Sequence, residues 1–222
     1  MLAGLRRRLS RRLLRDPDYG FLFEPPPPGE AVSIDCETTG LSVRNDDIVA
    51  VAAVRIRGNR ILASERFQAT VRPTVRLKPD AIKVHGLREQ DVAHAEAIAE
   101  ALPGLLRFVG SRPLVGYYLE FDVAMLNKHV RRTLGVGLPN EQIEVSGLYY
   151  ERKYGDAPPG TQVDLRFASI LANLGMPVFD QHDAYADALM TAMIYLRLKD
   201  MKARDVRVPR ERARPAAWYG GG

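Results

Sequence analysis

The stretch Val32-Ser33-Ile34-Asp35-Cys36-Glu37-Thr38-Thr39-Gly40-Leu41 constrains this chain more than any other, because it reads as a buried strand that carries two acids. Its apolar start and the glycine after it mark a strand that runs into a turn. Side chains on a strand alternate between faces, so Asp35 and Glu37 share one face and Cys36 takes the other. Two carboxylates side by side at the end of an apolar strand repel each other. A cation between them, most economically a divalent metal, relieves that repulsion. Cys36 is then a small apolar residue turned to the core.

Two further β-rich runs, 48–57 and 61–71, follow this strand and meet near Gly58-Asn59, a hairpin signal. Three sequential strands with short turns predict an antiparallel meander. After a segment broken by Pro73 and Pro79, the pattern alternates: helix 95–109, strand 113–117, helix 121–133, a short strand 142–145, then helices near 147–154, 164–174 and 183–199. A meander followed by alternating helices and strands predicts an α/β mixed sheet with helices on both faces. At 222 residues the chain holds one such domain with tails. Pro25 to Pro28 reads as a stiff spacer, so the expected division is 1–28 basic segment and linker, 29–200 folded domain, 201–222 flexible basic tail.

Two more segments pair acids with helix starts. One is Leu114-Val115-Gly116-Tyr117-Tyr118-Leu119-Glu120-Phe121-Asp122; the other is His182-Asp183-Ala184-Tyr185-Ala186-Asp187-Ala188. An Asp-x-Glu alone is weak, but three motifs in this order and at domain-scale spacing are not. Together they resemble the DEDDh-type 3′–5′ exonucleases, the family that includes the epsilon proofreading subunit of bacterial DNA polymerase III. The resemblance covers roughly residues 31–199. It implies a ribonuclease H-like sheet of five strands, three in the antiparallel meander and two parallel. It also implies two Mg²⁺ ions, with Mn²⁺ as a substitute.

Carried over residue by residue, the resemblance makes Asp35, Glu37, Asp122 and Asp187 both catalytic residues and metal ligands, with Asp35 bridging the ions. Phosphodiester hydrolysis suits such a set, because attacking oxygen, leaving oxygen and phosphoryl charge all need stabilising. His182, five residues before Asp187 and just ahead of its helix, takes the role of general base. Thr38, Thr39, Gly40 and Leu41 are expected on the 3′-terminal nucleotide, with His85 of a His-Gly-Leu loop nearby. Tyr117-Tyr118 stands where many members carry His-Asn. These tyrosines can stack on bases or hydrogen-bond phosphate, Phe121 reads as a core residue ahead of a stacking platform, and the departure touches substrate preference rather than the metal chemistry.

Other polar residues read more plainly. Asp183 and Asp164 are expected helix N-caps, Asp46 and Asp47 solvated loop acids, and His94 and His129 surface residues. The lone cysteine excludes an internal disulfide and fits a reducing cytoplasm. No apolar run is long enough to span a bilayer. Residues 1–15 carry six arginines and no acid, 197–214 carry a net +5, and the stretch between sums to −6. Leu2, Leu5, Leu9 and Leu13 give the first segment the spacing of a short amphipathic helix. Basic ends on an acidic body suit a polyanion. The expected partners are single-stranded nucleic acid, DNA ahead of RNA, and a polymerase or repair protein. An exoribonuclease and a non-catalytic nucleic-acid adaptor are the alternative functions.

Overall fold

β1 (Glu30–Thr38), β2 (Ile48–Arg57) and β3 (Arg60–Arg72) form the expected antiparallel meander in the computed structural model, which describes residue 7 and residues 9–180 and 182–210. The remaining elements are α1 (Pro79–His85), α2 (Glu89–Val92), β4 (Glu96–Ala97), α3 (Ile98–Val109), β5 (Leu114–Gly116), α4 (Leu119–Leu134), β6 (Gln142–Glu144), α5 (Val145–Tyr154), α6 (Phe167–Leu174) and α7 (Ala184–Ala203). The sheet order is β4-β3-β2-β1-β5-β6, with β5 parallel to β1 and β6 parallel to β5. The sheet thus has six strands where five were expected. The extra one, Glu96–Ala97, pairs parallel to the end of β3 and occupies the predicted first turn of α3.

Alternation along β1 divides its residues between two cores. Val32, Ile34 and Cys36 face one cluster, built with Leu102, Leu105 and Leu106 of α3 and Leu119, Val123 and Leu126 of α4. Ala31, Val54 and Val115 face the other, with Tyr149 of α5, Ile170 of α6 and Met190 of α7. Helix α7 lies against β1 and β2. Ala184, Ala188 and Ala192 are all buried on it, and small residues there let the helix come close to the sheet. Asp35 and Glu37 share the second face, so β1 offers its two acids toward the start of α7.

Both ends of the domain reach further than the expected division. Pro17–Phe23 forms a 3₁₀ turn capped by the Asp16 side chain. Leu22 and Phe23 bury themselves in the α3–α4 core, a burial of about 2 kcal/mol for each side chain. Arg15 donates its N–H to the carbonyl of Leu134 at 2.9 Å. Only 9–12 are described as a helical run of the predicted N-terminal helix; Leu2 and Leu5 lie outside the described residues. At the other end α7 runs to Ala203, and Val208 is 2% exposed with its N–H on the Arg152 carbonyl. The packed body therefore includes residues on both sides of the 29–200 boundaries. Asp164 falls ahead of α6, whose N-cap is Arg166, and its carboxylate accepts from the Arg166 N–H and the Ser169 hydroxyl.

Candidate active site

The carboxyl end of β1 is where three segments distant in sequence converge. Oxygens of Asp35, Glu37 and Asp187 lie within 4.8 Å of one another. The Asp183 side chain caps α7 as expected, accepting from the Ala186 N–H at 2.9 Å, and this sets Asp187 in the first helical turn. Asp187 Oδ2 accepts the His182 N–H at 3.0 Å, while its Oδ1 is buried without a hydrogen-bond partner. Asp122, in the first turn of α4 and 5% exposed, stands outside that triad of oxygens, yet its charge acts on Asp35.

Protons are held tightly in this group. Burial, then the charges of Asp122, Glu37 and Asp187, pushes Asp35 well above the usual carboxylate range. Burial, then Asp187 and Asp183, raises Glu37 to about 8. Asp122 and Asp187 are raised as well, burial leading in each case. No lysine or arginine side chain pairs with any of the four among the described residues. Hard oxygen donors, mutual repulsion and an orphaned buried oxygen fit a divalent cation.

His182 adopts φ 67°, in the left-handed region, and lines two cavities. The larger, about 590 Å³, has walls of Asp35, Glu37, Thr38, Leu41, Lys78, Val84, Tyr118 and Phe121. The smaller, about 350 Å³, lies between the sheet and α7, with Gln68, His85 and Tyr185.

The expected substrate residues divide sharply. Leu41 (86% exposed), Tyr118 (69% exposed) and half-buried Phe121 face the larger cavity. His85 lines both cavities; its Nδ1 accepts from the Leu87 N–H, and its Nε2 is buried and unpartnered. Thr38 donates its hydroxyl to the Gly40 carbonyl at 2.9 Å. Thr39, by contrast, is fully buried, and its hydroxyl, N–H and carbonyl bond to Asp46, Asp47 and the Lys78 N–H. It supports the loop from behind and has nothing left for a nucleotide. Tyr117 also turns inward: its hydroxyl donates to the Leu165 carbonyl at 3.0 Å and its ring packs on Phe167. Gly40 is required by close packing, since a Cβ there would sit 2.7 Å from Asp46 Oδ2 and 2.8 Å from Lys78 Cδ.

Asp46 and Asp47 are not solvated. Both are buried: Asp46 accepts from Thr39, the Ser42 N–H and Lys78, and Asp47 from Thr74 and the buried His129. His129 is thus a buried partner, while His94 is exposed as expected. Lys78 was missed at the site because a lysine in a proline-broken stretch carries no periodic signal.

Residues 32–195 match the family model described as exonuclease (RNase_T). The chain is 30% identical over 170 residues to the DNA polymerase III subunit epsilon of Aquifex aeolicus, covering 77% of this chain and 80% of that one. It is 28% identical over 175 residues to the PolC-type DNA polymerase III of Thermotoga maritima, covering 77% of this chain but 12% of the relative. Among solved structures, E. coli exonuclease I in complex with a dT13 oligonucleotide superposes with a TM-score of 0.65 at 18% identity, over 79% of this chain and 42% of that one. The chain thus spans a small part of the PolC-type relatives and less than half of exonuclease I.

Proposed function

The chain belongs to the exonuclease family, and from that premise we propose that it is a metal-dependent 3′–5′ exonuclease. It acts on single-stranded or frayed DNA ends and releases nucleoside 5′-monophosphates. One observation carries this reading: three carboxylates with oxygens within 4.8 Å, one of them orphaned, beside a histidine at the junction of two cavities.

Asp35, Glu37 and Asp187 would hold divalent cations, Mg²⁺ with Mn²⁺ as substitute, and Asp122 would complete the second position. Bound there, the cations supply positive charge to the attacking, leaving and phosphoryl oxygens. His182 stands at the cavity wall with its backbone fixed to Asp187, and its imidazole takes the proton from the attacking water. Leu41, Tyr118 and Phe121 offer apolar and aromatic surface to the terminal base. His85 borders the same space. The names of the relatives support a place beside a replicative polymerase, and the dT13 complex of exonuclease I supports a single-stranded DNA substrate. No helix among the described residues is long and apolar enough to cross a membrane, and a lone buried cysteine suits the cytoplasm.

Matched DNA and RNA oligonucleotides, single-stranded, duplex and mismatched, digested side by side with product analysis, test the reading. The expected result is metal-dependent release of 5′-monophosphates from DNA 3′ ends. Faster loss of RNA would move the enzyme to the exoribonucleases, and binding without cleavage would leave an adaptor.

A further inference from the structure

A site built to hold an anionic strand needs more than acids, and the two cavities are poor in cations. Among the described residues that line either of them, Lys78 is the only lysine or arginine. Its place is fixed from three sides. Its N–H donates to the Thr39 carbonyl at 3.1 Å, its stem passes so close to Gly40 that a Cβ there would collide, and its Nζ lies 2.6 Å from Asp46 Oδ2. The two partners differ in exposure: the Asp46 side chain is 2% exposed and the Lys78 side chain 53%.

That asymmetry gives the pair a direction. Asp46 sits inside the wall, where the Ser42 N–H and the Thr39 hydroxyl also bond to it. The ammonium has three N–H groups, and one of them satisfies Asp46. The other two have no acceptor among the described residues, on a side chain that is exposed and lines the larger cavity. Asp80, the neighbouring acid on this wall, is engaged by Lys83 at 3.0 Å. The buried carboxylate therefore fixes where the ammonium sits, on a side chain that lines the larger cavity.

We propose that Lys78 is the protein's own contact to a backbone phosphate of the substrate strand, aimed by Asp46. This rests on the exonuclease reading and adds to it a strand-positioning residue outside the metal-binding motifs. Lys78 then helps fix the strand over the carboxylates, while Leu41 beside it meets the base. A lysine serving only as counter-ion to Asp46 would be indifferent to substrate and to salt in the binding step.

The test measures binding of a fluorescent single-stranded DNA oligonucleotide to the full chain with His182→Ala, in Mg²⁺, across a salt series. Adding Lys78→Gln should weaken binding about three- to tenfold and make the slope of log K against log salt shallower by about 0.7, the share of one phosphate contact on a single strand. Lys78→Arg should restore both. Asp46→Asn, with Lys78 kept, should lower Tm and weaken binding in the same direction as Lys78→Gln but by less; binding as tight as with Asp46 in place would overturn the aiming of Lys78 by Asp46. An unchanged slope in Lys78→Gln, with or without a lower Tm, overturns the proposal and leaves Lys78 a counter-ion. If the chain with Lys78 intact neither binds nor degrades the oligonucleotide, the exonuclease reading itself falls. The two failures are therefore separate.

Discussion

Asp35 and Glu37 lie about ten residues before Asp46 and Asp47, and all four carboxylates are wholly or partly buried. Burial raises the first pair, and the charges that act on them are those of other acids. Burial acts on the second pair too, but donors outweigh it: Lys78, Ser42 and Thr39 around Asp46, His129 and Thr74 around Asp47, so both are held below the usual carboxylate range. One group is a network with every oxygen served; the other has acceptors in excess. A buried acid that lacks its donors is a request for something the chain does not supply, whereas a fully bonded one is scaffold. The scaffold pair ties the loop after β1 to α4, the helix that carries Asp122, through Lys128 and His129.

The contrast breaks first at the chemistry. Asp35→Ala should reduce degradation of end-labelled single-stranded DNA by at least about 10³-fold, while its metal-free Tm should rise because a buried carboxyl whose ionisation is opposed by burial and by neighbouring acids is gone. Near-normal turnover would end the two-group distinction. His182→Ala should lower turnover at neutral pH by about 10²–10⁴-fold with metal affinity nearly unchanged by calorimetry. A collapse of metal binding would make His182 a ligand.

Asp47→Ala should act in the opposite sense, costing about 3 kcal/mol in chemical denaturation by stranding buried His129 while metal affinity per folded molecule is kept. Little loss of stability would mean that the network does not hold the loop. The smallest effect is on pH. Glu37 is raised when folded, so the metal-free protein should lose stability as pH rises from about 4.5, the ordinary value for a glutamate, toward about 8. Asp47 is lowered, so its contribution is present above about pH 4 and disappears as pH falls further. Mg²⁺ should therefore raise Tm more at about pH 8 than at about pH 5; equal gains would separate Glu37 from the metal.

Sequence reached the unpaired group and missed the paired one for a physical reason. Asp35, Glu37 and the start of α7 announce themselves through local periods, a strand alternation and a helix cap, and the meander and long helices are legible in the same way. Asp47 becomes structural through Thr74, 27 residues on, and His129, 82 residues on. No local pattern encodes such meetings. The same holds for Tyr117, whose hydroxyl finds Leu165, 48 residues away. The 3₁₀ turn before Pro25 fell to a compositional habit that reads proline clusters as linkers, though Leu22 and Phe23 just ahead of it belong to the core.

Tyr118 and His182, two of the rings that line the larger cavity, both sit at left-handed φ, 55° and 67°. Such a backbone costs a side-chain-bearing residue about 1 kcal/mol or more, and glycine adopts it freely. Any improvement scheme that rewards thermal endurance alone would trade these rings for glycine. It would arrive at a sturdier molecule with two rings fewer in the cavity wall. Of the three described side-chain-bearing residues at such a φ, two line the cavity beside the carboxylates and only Asp205 does not, so most of this backbone cost is carried where the candidate chemistry lies.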